Sequence, residues 1–135
     1  MSEPRFVIDT SAILAVLLEE EEASHFLDLI VAADCCYLGA PTWVETAMVL
    51  QSRKGDGAEA DLDLFLYEGP FRIEPFSATL ARHAQTAWQQ FGKGRHPAGL
   101  NLGDCFSYAL SAGLQSPLLF KGTDFSCTDL KCVVT

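Results

Sequence analysis

The sequence predicts an α/β fold, a three-layer α/β/α arrangement with a central parallel sheet, in one domain spanning residues 1–135. Three observations carry that expectation. Short β-branched and aromatic runs alternate with stretches of helical period along the whole chain, which is the pattern of parallel strands joined by crossover helices. Hydrophobic residues make up 49% of the chain, enough to cover a sheet on both faces. No internal repeat, linker or low-complexity tract divides the 135 residues.

Each element follows from local chemistry. Arg5-Phe6-Val7-Ile8 reads as a short buried strand. Asp9 to Ser11 offers N-cap side chains for a helix that continues through residues 12–18. Glu19 to Glu22 is a charge run suited to the positive end of a second helix, which buries Phe26, Leu27, Leu29 and Ile30 and stops at Asp34. A second strand follows at 35–39. Pro41 and Thr42 open a third helix that runs to about Arg53 and is broken by Lys54-Gly55-Asp56-Gly57. Residues 58–67 form a fourth, with Leu62, Phe65 and Leu66 at core spacing. A strand at 71–74 ends at Pro75, and Ser77 caps a helix over 78–91. Residues 92–102, rich in Gly, Pro and basic side chains, read as an exposed loop. Helix resumes at Gly103 and ends near Gly113, and strands follow at 117–120 and 131–134. Trp43 and Trp88 fit packing faces and are assigned to the core.

Composition narrows the function classes. The net charge of −9 argues against broad, sequence-independent binding of nucleic acid through a basic surface, although Arg53, Lys54, Lys93, Arg95 and Lys121 can still form local positive patches. The five cysteines contain no C-x-x-C pair, so reduced and mostly buried thiols are expected rather than a zinc site or a disulfide framework. No apolar run reaches the roughly 18 residues that span a bilayer. Met1-Ser2-Glu3-Pro4-Arg5 lacks the basic-then-apolar opening of a signal peptide, so a cytoplasmic protein with no membrane partner is expected.

Four acids stand where an α/β fold gathers side chains. In parallel sheets, sites form beyond the carboxyl ends of the strands. Asp9 lies there after the first strand, and Asp124 just past the strand at 117–120. Asp104 opens a helix whose free N–H groups favour anions. Glu45 borders an apolar helix stripe with Met48 and Val49. Each has an ordinary alternative: capping for Asp9 and Asp104, a solvated helix edge for Glu45, a turn for Asp124. A cluster of carboxylates is unfavourable unless a proton or a hard cation compensates it, which points to Mg²⁺ or Mn²⁺ and to hydrolysis of a phosphodiester. Thr10 and Ser11 either cap the first helix or donate to Asp9 or a substrate phosphate. Lys121 and Arg95-His96 are candidates for contacts with phosphate or RNA. His25, His83 and His96 are scattered without ligand spacing, and there is no P-loop or G-x-G-x-x-G.

These residues carry a resemblance. Val7-Ile8-Asp9-Thr10-Ser11-Ala12 resembles the opening motif of PIN-domain ribonucleases, and Pro41-Thr42-Trp43-Val44-Glu45-Thr46 their second acidic motif. The run from Asn101 through Gly103-Asp104 to Leu110 resembles the third, as found in VapC-type toxins of type II toxin–antitoxin pairs. The run from Leu118 through Thr123-Asp124 to Leu130 resembles that subgroup's ending. The resemblance implies a PIN fold and a Mg²⁺-dependent endoribonuclease in which Asp9, Glu45, Asp104 and Asp124 take the acidic positions and metal-activated water cuts RNA. It also implies a VapB-like antitoxin and assembly as a homodimer or a toxin–antitoxin hetero-oligomer. Many similar toxins have Asp where this chain has Thr123, with Asp129 a lesser candidate for the gap. A basic antitoxin tail would reach the acidic pocket, and apolar faces near 12–18 and 44–50 would seat its helix. Two other readings compete: a related metal nuclease acting on DNA, and a PIN-like binding module with weakened catalysis, which Thr123 alone favours.

Overall fold

The computed structural model describes residues 4–133. Four parallel strands form one sheet in the order β3-β2-β1-β4. They are β1 (Arg5–Ile8), β2 (Cys35–Gly39), β3 (Phe71–Glu74) and β4 (Leu118–Leu119). In register, Phe6 stands beside Cys36, Leu38 beside Ile73, and Ile8 beside Leu119. The helices are α1 (Thr10–Leu17), α2 (Ala23–Ala32), α3 (Ala40–Lys54), α4 (Ala58–Glu68), α5 (Ala78–Phe91) and α6 (Leu102–Leu114), with a short 3₁₀ turn at Asp124–Cys127.

The pleat of β1 divides the core into two layers, because alternate side chains leave a strand on opposite faces. Phe6 and Ile8 pack with Ile13 of α1, Phe26 and Ile30 of α2, Leu50 of α3 and Leu62 of α4. Val7 faces the other way, onto Ala84 and Ala87 of α5, Leu100, and Tyr108, Ala109 and Leu110 of α6. The central strand is therefore covered on both sides, which is why it reads as an unbroken apolar run. The expected three-layer α/β/α fold with a central parallel sheet is the fold observed.

Local stop signals act as the sequence suggests. Ser77 accepts a hydrogen bond from the Leu80 N–H at the start of α5. Gly55 (φ +76°) ends α3 and Gly57 (φ +91°) precedes α4, both in backbone that L side chains rarely adopt.

Several expectations are corrected. Residues 19–22 lie before α2 rather than within it, and Leu27 of α2 is exposed. Segment 92–102 is not a loose loop: its backbone pairs with itself between Gly92 and Leu100, and apolar Ala98 and Leu100 enter the core. Within the described residues the last strand reduces to a single parallel bridge of Cys132 with Leu118, and Val134 lies outside them. Trp43 and Trp88 are 40% and 44% exposed, not core. The apolar face of α1 is used up inside the molecule, since Ala12, Ile13, Leu14 and Ala15 are buried. All five cysteines are free; Cys36 and Cys105 are buried, Cys35 and Cys132 half-buried and Cys127 exposed. Among the described residues no helix is long and apolar enough to cross a membrane.

Candidate active site

The carboxyl ends of β1 and β4 and the first turns of α1, α3 and α6 meet at one place. Asp9 follows β1 directly, and its N–H donates to the carbonyl of Leu119 in β4 (3.0 Å). Its side chain caps α1 by accepting from the Ser11 N–H (3.0 Å) and hydroxyl (2.7 Å) on Oδ2. The other oxygen, Oδ1, accepts from the Ser107 hydroxyl (2.5 Å), which reaches across from the second turn of α6. Asp9 is buried, at 4% exposure. Three donors make that burial tolerable and fix the carboxylate in one orientation.

Glu45 stands in the second turn of α3 and is held from α1. The Thr10 hydroxyl donates to Glu45 Oε1 (2.7 Å) and lies 2.9 Å from the Thr46 hydroxyl. The Thr46 hydroxyl donates to the Thr42 carbonyl (2.7 Å), and the single proton of Thr10 goes to the Glu45 carboxylate. Burial pushes the Glu45 pKa up, the Thr10 bond opposes this, and the charge of Asp9 adds to the rise.

Asp104 lies at the third position of α6. Asn101 caps that helix, its side chain accepting from the Asp104 N–H (2.9 Å) while the Asp104 carboxylate accepts from the Asn101 N–H (3.0 Å). This reciprocal box explains the geometry of the turn. The Asp104 pKa rises to about 6. Burial is the largest cause; the Asn101 bond opposes it, and the charges of Asp9, Asp124 and Glu45 each push it further up. Asp124, exposed at the start of the 3₁₀ turn, thus belongs to the same electrostatic cluster.

The charges of Asp9, Glu45 and Asp124 all act on Asp104, so the four acids singled out in the sequence share one electrostatic neighbourhood. The other candidates take different places. Thr10 and Ser11 orient Glu45 and Asp9. The Lys121 ammonium is paired with Glu20 (3.0 Å) and Glu22 (3.4 Å), while its backbone N–H donates to Ser11 (2.9 Å). Arg95 stacks on Trp88, 4.2 Å from the ring centroid, and His96 Nδ1 accepts from the Ala98 N–H. Asp129 accepts from the Tyr108 hydroxyl, one helical turn beyond Asp104. Sequence reasoning missed Ser107, Thr46 and Asn101; only Asn101 left a local signal, the capping spacing Asn-x-x-Asp.

The donor set suits a hard divalent cation. Among the described residues none of the ion pairs engages Asp9, Glu45, Asp104 or Asp124, so the cluster's charge lacks a protein counter-ion. Among those same residues no three such groups surround one point closely enough to ligate an ion together. The first turns of α1 and α6 place their positive ends at the cluster and moderate the repulsion.

Comparison with known proteins agrees with the fold. The PIN domain model matches residues 6–130. Ribonuclease VapC28 of Mycobacterium tuberculosis is 41% identical over 126 residues, covering 93% of this chain and 95% of the relative. Ribonuclease VapC30 of the same species is 42% identical over 127 residues, covering 94% and 97%. The crystal structure of M. tuberculosis VapC20, described as a sarcin-ricin loop cleaving toxin, superposes with a TM-score of 0.78 at 19% identity, covering 96% and 99%. A toxin–antitoxin complex from Klebsiella pneumoniae gives 0.70 at 18% identity, covering 92% of each chain. On the extent of these matches, the chain belongs to the PIN-domain family and, within it, to the VapC group.

Proposed function

We propose that this protein is a Mg²⁺-dependent endoribonuclease, with Mn²⁺ as a substitute, and the toxin of a VapBC-type pair. The observation that carries the reading is the convergence of Asp9, Glu45, Asp104 and Asp124 without a protein counter-ion. VapC28 and VapC30 are named ribonucleases, which supports the choice of RNA. Asp9, Glu45, Asp104 and Asp124 are the acids that would hold the metal, one or two of them ligating it directly and the others acting through its retained water. A bound Mg²⁺ supplies Lewis-acid activation of water and of the scissile phosphate.

The chain's own residues have separate tasks. Ser11 and Ser107 lock the Asp9 carboxylate, so that its charge stays aimed at the cluster. Thr10 does the same for Glu45. Burial and the neighbouring acids disfavour the charge on Asp104, and a bound cation would favour its ionised form. Preorganised carboxylates need no rearrangement when a phosphate arrives, which favours catalysis.

An antitoxin of the VapB kind is the proposed regulatory partner. A basic side chain entering the cluster would replace the missing counter-ion. Its helix would seat in a groove of about 840 Å³ between α2 and α4, which Leu27, Val31, Leu64 and Phe65 line. Val44 and Met48 of α3 are exposed and remain available, whereas the α1 face is not.

The test is cleavage of RNA and of DNA of the same sequence, with Mg²⁺ and with a chelator, together with the end groups of the products. RNA cut only with metal, leaving 5′-phosphates, is expected. Preferential cutting of DNA, or undiminished cutting in chelator, would overturn the reading. Co-purification with the product of the adjacent gene, and loss of cleavage in that complex, tests the toxin role.

A further inference from the structure

On the metal-dependent ribonuclease reading just given, we infer that Lys121 is a positioning residue: its ion pairs with Glu20 and Glu22 clamp the turn that carries Asp124. That turn follows β4, and packing holds only its base, where the Phe120 and Phe125 rings meet at 5.1 Å. Residues 121–124 are all exposed, and the next buried side chain is Phe125. Gly122 takes a positive φ (+103°), and a methyl group there would meet nothing within 4 Å. A turn of this kind opens readily unless polar contacts close it. Lys121 supplies two sets of them. Its N–H donates to the Ser11 hydroxyl (2.9 Å), which itself donates to Asp9 (2.7 Å). Its ammonium donates to Glu20 Oε1 (3.0 Å) and lies 3.4 Å from Glu22 Oε1.

The acceptors are anchored in turn. The chain leaves α1 through Glu19 in the left-handed region (φ +54°), with the Glu20 N–H donating to the Ala15 carbonyl (2.9 Å). Glycine is the usual residue at the left-handed position of such a helix ending, and the closed ending fixes the backbone from which Glu20 reaches out. The second oxygen of Glu20 lies 3.9 Å from Arg53, in the last turn of α3, the helix that carries Glu45. Glu20 thus ties the ends of α1 and α3 to the turn after β4. Glu22 Oε1 is buried and accepts no hydrogen bond among the described residues, so the Lys121 ammonium compensates its charge. An ammonium held by two carboxylates is a poor contact for substrate phosphate, which would have to displace both. Ion pairs this exposed add little to global stability, so the effect of the clamp falls on where Asp124 stands.

The experiment compares the parent with Lys121→Met, Lys121→Arg and the double variant Glu20→Gln, Glu22→Gln, each checked for fold by circular dichroism. Hydrogen exchange is followed in metal-free protein at the Lys121 and Ser126 amides, which donate to Ser11 and to the Thr123 carbonyl (3.1 Å). RNA cleavage is measured across a Mg²⁺ titration, and across RNA concentration at saturating Mg²⁺. In Lys121→Met both amides should exchange about 5-fold faster, the scale of a lost surface ion pair. Half-maximal cleavage should need about 10-fold more Mg²⁺, as for loss of a group that orients a metal-binding carboxylate, with KM for RNA within about 2-fold of the parent. The sign is diagnostic, because removing a positive charge near the acids would by itself strengthen their attraction for a cation and lower the requirement. Lys121→Arg keeps the ion pairs and should match the parent, and the double Gln variant should follow Lys121→Met. If Lys121 instead binds substrate phosphate, Lys121→Met raises KM and the double Gln variant, which frees the ammonium, lowers it; that result overturns the proposal. Exchange or a Mg²⁺ requirement in Lys121→Met equal to the parent's also overturns it, and leaves the ribonuclease reading intact. A parent that does not cut RNA, or cuts it in chelator, overturns both.

Discussion

Gly103 lies directly against Glu45: a methyl group on Gly103 would stand 2.1 Å from Glu45 Oε2 and 2.6 Å from its carboxyl carbon. The first turn of α6 can approach α3 this closely only because position 103 has no side chain. This approach brings the charge of Glu45 within range of Asp104, the next residue of α6.

Gly103→Ala should therefore separate stability from activity. The obstructed group is the end of a flexible side chain, so Glu45 can swing aside without moving either helix. Alanine also favours helix over glycine by about 1 kcal/mol. The variant should keep or slightly raise its denaturant midpoint, while RNA cleavage falls about 100-fold because a displacement near 1 Å ruins the alignment. Parent-level cleavage would mean that the position of Glu45 is not critical.

Ser107→Ala should remove the donor to Asp9 Oδ1 and leave a buried oxygen unpaired. The expected loss is about 1–3 kcal/mol in urea unfolding, with a drop in activity. A change below about 0.5 kcal/mol, within the range of ordinary surface substitutions, would show that Asp9 does not depend on this bond.

Asp104 gives a pH signature in metal-free protein. Its folded pKa, about 6, lies above the ordinary 3.8, so the native state holds a proton that the unfolded chain has already released. Between these values stability falls as pH rises, and the penalty is complete above about pH 6. Because the group is partly solvated, the penalty is discounted to about 1 kcal/mol. Asp104→Asn should thus be about 1 kcal/mol more stable than the parent at neutral pH in chelator, with the advantage gone below the ordinary carboxylate range. Asparagine can still accept from the Asn101 N–H, so the helix cap survives. Equal stability at all pH values would contradict the crowding of charge at this site.

Thr123→Asp should lower the Mg²⁺ concentration needed for half-maximal cleavage. Thr123 is exposed beside Asp124, and an added carboxylate there strengthens attraction for a divalent cation. Overlapping metal titrations of the two proteins would show that Thr123 does not limit the metal requirement.

The parts legible in the sequence are those encoded locally. Phe6-Val7-Ile8 announces a buried central strand, and a site beyond its carboxyl end follows for Asp9 from the chain alone. Glu45 stands out as a charge on an apolar stripe, although that stripe is less buried than expected, Met48 being exposed. What escapes is non-local. Ser107 and Asp9 are 98 positions apart, and nothing near either residue announces the pairing. Asp104 resembles a helix cap because the true cap, Asn101, sits three residues earlier and the two side chains exchange bonds. Trp88 reads as core because aromatic residues at helical spacing usually are, whereas here it borders an open cleft and carries Arg95. Segment 92–102 reads as a loop from its Gly, Pro and basic composition, which hides the buried Ala98 and Leu100.

In the proposed function the acidic cluster works by holding a divalent cation on which RNA cleavage depends. Its most direct test is the rate of RNA cleavage by the parent and Asp104→Asn proteins across a Mg²⁺ titration, with both shown to be folded. The account predicts a parent rate that rises with Mg²⁺ from nothing in chelator, and an Asp104→Asn protein that is stable yet inactive across the range. Cleavage by Asp104→Asn at the parent rate under limiting Mg²⁺ would contradict it.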